Sequence, residues 1–212
     1  MGIPVLIMGR SGSGKSASLR NVVSPFILIN VIGKPLPFQK NKNILEFNSD
    51  DYKKIMNTLK VAPEKGYKSV VLDDAGYLMT SKFMAGHRQA KGNAQFEMYN
   101  EIGDDYYTLL KFIVKDLPND EIVYVFMHEE MNDLGYSKPK TIGRLLDEKV
   151  CVEGMFTIVL HAMKLDGKYV FATTTDGLDV TKTPIGMFTD IYIDNDLQLV
   201  DEAIRRYYKI DK

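Results

Sequence analysis

Residues Ile7 to Ser16 read IMGRSGSGKS, a cluster of glycines, serines and one lysine directly after the apolar run Ile3–Met8. From Gly9 to Ser16 the stretch fits G-x-x-x-x-G-K-[ST] at every fixed position, between a strand-like and a helix-like run, which is the context in which such a loop cradles phosphate. Glycines let the backbone turn tightly so that successive N–H groups point at phosphate oxygens, and the following helix offers its N-terminus to the same charge. Gly9, Arg10, Ser11, Gly12, Ser13, Gly14, Lys15, Ser16 and Ala17 are therefore the expected nucleotide-binding residues. Lys15 is expected to reach the β- and γ-phosphates of ATP, and Ser16 to give its hydroxyl to Mg²⁺.

A magnesium–nucleotide site also needs an acidic residue on a second element, because the metal keeps waters and is tethered through a carboxylate as well as phosphate. Val70-Val-Leu-Asp-Asp74 supplies one: three apolar residues place a strand inside a sheet, and Asp73 emerges at its C-terminal end, where ligands of open α/β sheets bind. Asp73 is the expected metal-linked residue, and Asp74 the candidate for polarising an attacking water. The next residues are Ala75-Gly76 rather than a glutamate, so Glu46 and Glu129 are alternative bases. Phe126-Met-His-Glu-Glu130 closes a further strand, whose His128 or Glu129 is expected to sense the γ-phosphate. His87 and His161 have no partner spacing for zinc and receive no role.

Outward from these motifs, short apolar runs alternate with longer amphipathic stretches, the pattern of an α/β fold with a mostly parallel sheet. Strands are expected at Val5–Met8, Phe26–Val31, Ser69–Leu72, Ile122–Met127, Phe156–Leu160 and Tyr169–Thr173. Helices are expected at Ser16–Val23, Asp51–Val61, Ala94–Leu117 and Leu197–Tyr208. Lys164-Leu-Asp-Gly-Lys168 reads as the turn of an antiparallel hairpin at the far edge of the sheet. Lys82–Asn93 and Glu129–Arg144 read as irregular, functional loops.

The 212 residues suit a single domain spanning the chain, 1–212, and a net charge of −1 provides no global field for nucleic acid. The one cysteine, Cys151, lies in an apolar stretch and is expected to be a buried structural thiol in a reducing, cytoplasmic setting. The opening residues lack a basic leader, and their apolar run is too short for a membrane span.

The set IMGRSGSGKS, SVVLDDAGYLM and VYVFMHEE, in that order and with a long helix between the second and third, resembles the RecA-like P-loop ATPases. More narrowly it is similar to the small phage-encoded ATP-binding proteins of the Sak type, associated with single-strand annealing and recombination. In that group a Pro- and Gly-bearing segment and then a hairpin follow the sensor strand, as SKPKTIGRLLDEKV and GMFTIVLHAMKLDGKYVFATTT do here. The resemblance implies a RecA-like core, a nucleotide at or near a subunit interface, and a ring or filament of identical chains on single-stranded DNA in the host cytoplasm. A phage recombination or single-strand-binding protein is the implied partner. The DNA contacts would fall to Lys82, Arg88 and Lys91 in the first loop and to Lys138, Lys140 and Arg144 in the second, with Tyr136 stacking on a base. Lys140, Arg144 and Lys182 are the candidates for a cation that completes a neighbouring subunit's site.

Two other readings fit the same residues. A nucleotide-gated partner-binding module with little hydrolysis is suggested by the missing glutamate after Asp74. A small-molecule kinase would use the same loop, but Arg144 stands alone where such enzymes carry an arginine-rich lid.

Overall fold

Continuous apolar runs make strands covered on both faces, and the core of the computed structural model, which describes residues 1–210, is organised in this way. Nine strands form one sheet: β1 (Ile3–Gly9), β2 (Phe26–Asn30), β3 (Ile44–Asn48), β4 (Ser69–Asp73), β5 (Ile122–Met131), β6 (Ser137–Pro139), β7 (Ile158–Leu165), β8 (Lys168–Ala172) and β9 (Tyr192–Asp194). The order is β3-β2-β4-β5-β1-β7-β8-β9, with β6 pairing only with β5. Every neighbour from β3 to β7 runs parallel, whereas β6, β8 and β9 are antiparallel to their partners.

Successive side chains of a strand point to opposite faces, so each parallel strand feeds two cores. On one face Leu6, Leu72, Val123 and Val125 meet Ile55 and Leu59 of α1 (Tyr52–Val61) and Ile102, Tyr106 and Ile113 of α3 (Asn93–Lys115). On the other, Val5, Ile7, Leu28, Tyr124 and Phe126 meet Leu19 and the Leu197, Val200 and Ile204 face of α4 (Leu197–Tyr208). Burying each such side chain contributes roughly 1.5–3 kcal/mol. Asp51 and Asp196 cap α1 and α4, each carboxylate accepting two backbone N–H groups of the first turn.

The strand order also positions the motifs. β5 lies between β1 and β4, and in register Gly9 faces His128 while Leu72 faces Val125. The C-terminal ends carrying the glycine-rich loop, the aspartates and the histidine therefore open along one edge.

Several expectations need correction. The segment after Lys15 is a single 3-10 stretch, Ser16–Asn21, shorter than the expected helix. α2 (Gly76–Gly86) runs into the stretch expected to be irregular from Lys82. Beyond Glu129, β5 continues to Met131 and β6 returns against it. The hairpin turns at Asp166-Gly167 as expected, but β9 pairs outside β8, so the hairpin is not the edge. β3 was not expected because its strand is half exposed and broken by Glu46, leaving no continuous apolar run. Cys151 is exposed rather than buried: its segment is not a strand, and the neighbouring Val152 takes the inward position. No helix of the described residues is long and apolar enough to cross a membrane.

Candidate functional site

The glycine-rich loop is a concavity built by backbone conformations that a side chain resists. Gly12 and Gly14 have φ of 77° and 97°. A Cβ on Gly14 would lie 2.9 Å from the Tyr169 ring and 3.2 Å from Asn195 Nδ2, so only glycine lets β8 and the start of α4 close on the loop. At Gly12 nothing lies within 4 Å, which leaves that side of the arch open. Because the 3-10 segment that follows is only six residues long, the attraction for anions comes from the loop's own N–H groups more than from a helix dipole.

Lys15 is buried in this loop, its ammonium donating to Gly9 O at 2.7 Å and Arg10 O at 2.9 Å. Burial lowers its pKa to about 8, against the attraction of Asp74 and Asp73. Ser13 Oγ is buried without a partner beside it. A phosphate would give Ser13 the partner it lacks and Lys15 a third acceptor, and on that count the loop fits a nucleotide's phosphate chain.

Ser16 Oγ donates to the Asp73 carboxylate at 2.7 and 3.0 Å. Asp73 is buried, and burial together with the charge of Asp74 holds its carboxyl above the usual range, against the Ser16 hydrogen bond and the charges of Lys34 and Lys15. A hydroxyl and a carboxylate in contact beside a phosphate loop fit Mg²⁺, whose remaining ligands would be phosphate and water. Among the described residues no group of three or more His, Cys, Asp or Glu gathers to bind a metal by protein ligands alone.

Asp74, at φ 59°, turns the chain out of β4 in the left-handed region that non-glycine residues avoid. Its two oxygens are engaged: Lys34 Nζ contacts Oδ2, and His128 Nε2 lies 3.3 Å from Oδ1. Burial works against its charge, but the hydrogen bond from His128 and the contact with Lys34 outweigh it and hold the carboxyl below its ordinary value. His128 and Asp74 thus meet at the loop, as the strand-end positions implied. Ser11 to Ala17, Asp74 and His128 line one cleft of about 220 Å³ with Lys34, Pro35, Pro37 and Tyr169.

Glu129 points elsewhere. Its carboxylate lies 2.7 Å from His161 Nε2 and 3.3 Å from Arg10 Nε, in a second cavity of about 490 Å³ on the other flank of the loop. His161 Nδ1 lies 2.8 Å from Asp179. Burial disfavours the imidazolium, but the two carboxylates prevail and raise its pKa to about 9, while Asp179 is drawn down to about 2 despite its own burial. His161, which received no role for want of zinc spacing, contacts Glu129 and Asp179 and so ties together β5, β7 and the 175–181 segment. Its signal in the sequence was its position directly after the expected strand Phe156–Leu160, which a search for zinc spacing overlooks; it lies inside β7 at the last residue paired with β1.

Of the basic candidates, Lys82 is paired with Glu101 and Asp105, and Lys138 with Glu130 and Asp147. Arg88, Lys91, Lys140 and Lys182 are exposed, and the Arg144 side chain is 91% exposed. The Lys140 backbone N–H donates to His128 O at 2.8 Å, tying that loop to the site. Glu46 is engaged by Asn30 and Lys40. Lys34 was missed because a lone lysine in a proline-rich loop carries no motif.

No protein-family model and no curated protein matches the chain.

Proposed function

We propose that the chain is a P-loop ATPase with a RecA-like core, binding ATP with Mg²⁺ and coupled to single-stranded DNA. The observation that carries the nucleotide reading is the meeting of Ser16 and Asp73, 57 residues apart, at 2.7 Å beside a lysine buried in a glycine-rich loop. Lys15 would neutralise the β- and γ-phosphates. Ser16 and Asp73 would hold the metal, which supplies positive charge against the charge that develops on the transferred phosphoryl group. Asp74 and His128 would stand at the phosphate end, and the single strand between β1 and β4 supports the RecA-like reading.

The DNA reading is supported by the sequence resemblance and by the exposed cations Arg88, Lys91, Lys140 and Arg144; Lys82 and Lys138, already paired, support it less. Assembly into a homo-oligomer in a phage-infected cytoplasm follows from the same resemblance. Steady-state hydrolysis with and without single-stranded DNA tests the whole reading. The expected result is magnesium-dependent turnover stimulated by DNA, reduced to background in Lys15→Ala and with weakened Mg²⁺-dependent binding in Asp73→Asn. Wild-type turnover in Lys15→Ala would overturn the site.

One observation favours a nucleotide-gated partner-binding module instead: Asp74, Glu129 and Glu46 are each engaged by cations or amides, which leaves none of the three a ready base. That reading expects ATP-dependent capture of a protein partner with turnover indifferent to DNA.

A further inference from the structure

Lys34 sits on the loop after β2, and the backbone around it is fixed by a buried side chain. Asn30, 1% exposed and paired in register with Asp73, donates from Nδ2 to Lys34 O at 2.8 Å and accepts from Gly33 N at 2.8 Å. The same amide donates to Glu46 at 3.0 Å, which fixes its orientation. Pro35 and Pro37 stiffen the segment beyond. A buried amide on the strand next to the acidic one thus holds the root of a lysine whose side chain is 44% exposed and reaches Asp74 across the phosphate cleft.

Three features bear on what this lysine does. It lines the cleft together with Ser11 to Ala17 and His128, whereas Lys140, Arg144 and Lys182 do not. Its ammonium rests on the carboxylate of Asp74, the residue next to the expected metal ligand. Its stem is partly in solvent, so the head can exchange one anionic partner for another in the same cleft at small desolvation cost.

We propose that Lys34 is a phosphate-contacting catalytic residue supplied in cis: with nucleotide bound, its ammonium turns from Asp74 to the terminal phosphate and stabilises the charge of the transition state. This rests on the nucleotide reading above and goes beyond it, because the cation that completes the site then comes from the chain itself rather than from a neighbour. In the transition state charge moves onto the β–γ bridging oxygen as its bond to the transferred phosphoryl group breaks, so a cation reaching that end of the phosphate chain affects turnover more than ground-state binding.

The test compares wild type, Lys34→Ala and Lys34→Arg in three readouts: affinity for a fluorescent ATP analogue with Mg²⁺, affinity for ADP with aluminium fluoride relative to ADP alone, and turnover. Thermal melts confirm that the variants are folded. Lys34→Ala is expected to bind the ATP analogue within about threefold of wild type and to lose about a hundredfold in turnover. Its preference for the aluminium fluoride complex is expected to fall by at least about tenfold, with partial recovery in Lys34→Arg. An unchanged preference for the transition-state analogue in folded Lys34→Ala would overturn the proposal, as would an equal loss of affinity for both ligands. If wild type binds no nucleotide, the nucleotide reading itself falls and the role of Lys34 with it, an outcome distinct from failure in the variant alone.

Discussion

His161 lies between Glu129 and Asp179, and Arg10 of the glycine-rich loop contacts the same glutamate from the other side. Two buried carboxylates that share one imidazolium need its charge. Replacing the ring in His161→Ala leaves them facing each other and is expected to destabilise the fold by about 3–5 kcal/mol, as for other broken buried pairs. The pH dependence has a definite sign. Because the folded-state pKa is raised from the ordinary 6.5 to about 9, the contribution is whole below the unfolded value and is lost as pH rises through about 9. Urea unfolding at pH 7 and pH 10 is expected to show wild type losing stability that His161→Gln no longer has to lose. A parallel loss in both proteins would place the titration elsewhere.

Among the elements, α4 shows most clearly how a helix is tied to the sheet. Its apolar face would dock on many surfaces, but Asp201 and Arg205, one turn apart, set where it docks. Asp201 accepts from Ser69 Oγ at 2.6 Å and Tyr124 OH at 2.9 Å, and Arg205 Nε donates to Asp201 at 2.7 Å. Arg205 also donates to Ser69 Oγ at 2.8 Å and to Lys68 O at 3.2 Å. The network joins α4 to the N-terminal ends of β4 and β5, opposite the candidate site. Arg205→Ala is expected to cost about 3–5 kcal/mol in chemical denaturation, because it strands a buried carboxylate. The double variant Asp201→Leu/Arg205→Met is expected to recover part of that loss, since no charge is then left unpaired but Ser69 Oγ and Tyr124 OH lose their acceptor. At its other end α4 meets the 3-10 segment that follows the glycine-rich loop: Arg20 donates to Asn195 O at 2.7 Å, immediately before the capping Asp196.

For the molecule as a whole, the pH dependence of global stability carries a mark from Glu121, which directly precedes β5, fully buried with both carboxylate oxygens unpartnered among the described residues. Burial, and then the charge of Asp120, raise its pKa to about 8. A carboxyl protonated in the fold but ionised in the unfolded chain makes stability fall as pH rises between its unfolded value and about 8. Glu121→Gln is therefore expected to match wild type near pH 4 and to exceed it by a few kcal/mol at pH 8. A variant less stable than wild type at pH 8 would show that the carboxylate has a partner in solution. The unfavourable group lies at the N-terminal edge of the sheet, opposite the glycine-rich loop, so the gain should leave the geometry of that loop unaltered.

The α/β class, the parallel core strands, the long α3 and the contact between Ser16 and Asp73 were legible in the sequence. Each rests on a local pattern: continuous apolar runs, helical spacing, glycines at fixed offsets, and acids at a strand's end. The sequence by itself determined that the glycine-rich loop carrying Ser16 follows a buried strand and that Asp73 ends another. Only the tertiary structure decided which charges face one another: Lys34 on Asp74, His161 between Glu129 and Asp179, and Glu129 turned away from the phosphate cleft. It also decided that Cys151 faces solvent and that β3 and β9 complete the sheet. The physical reason is range. Strand and loop propensities act over a few residues, whereas an ion pair in a cleft depends on which strands become neighbours, and burial then sets which of those charges must be paired.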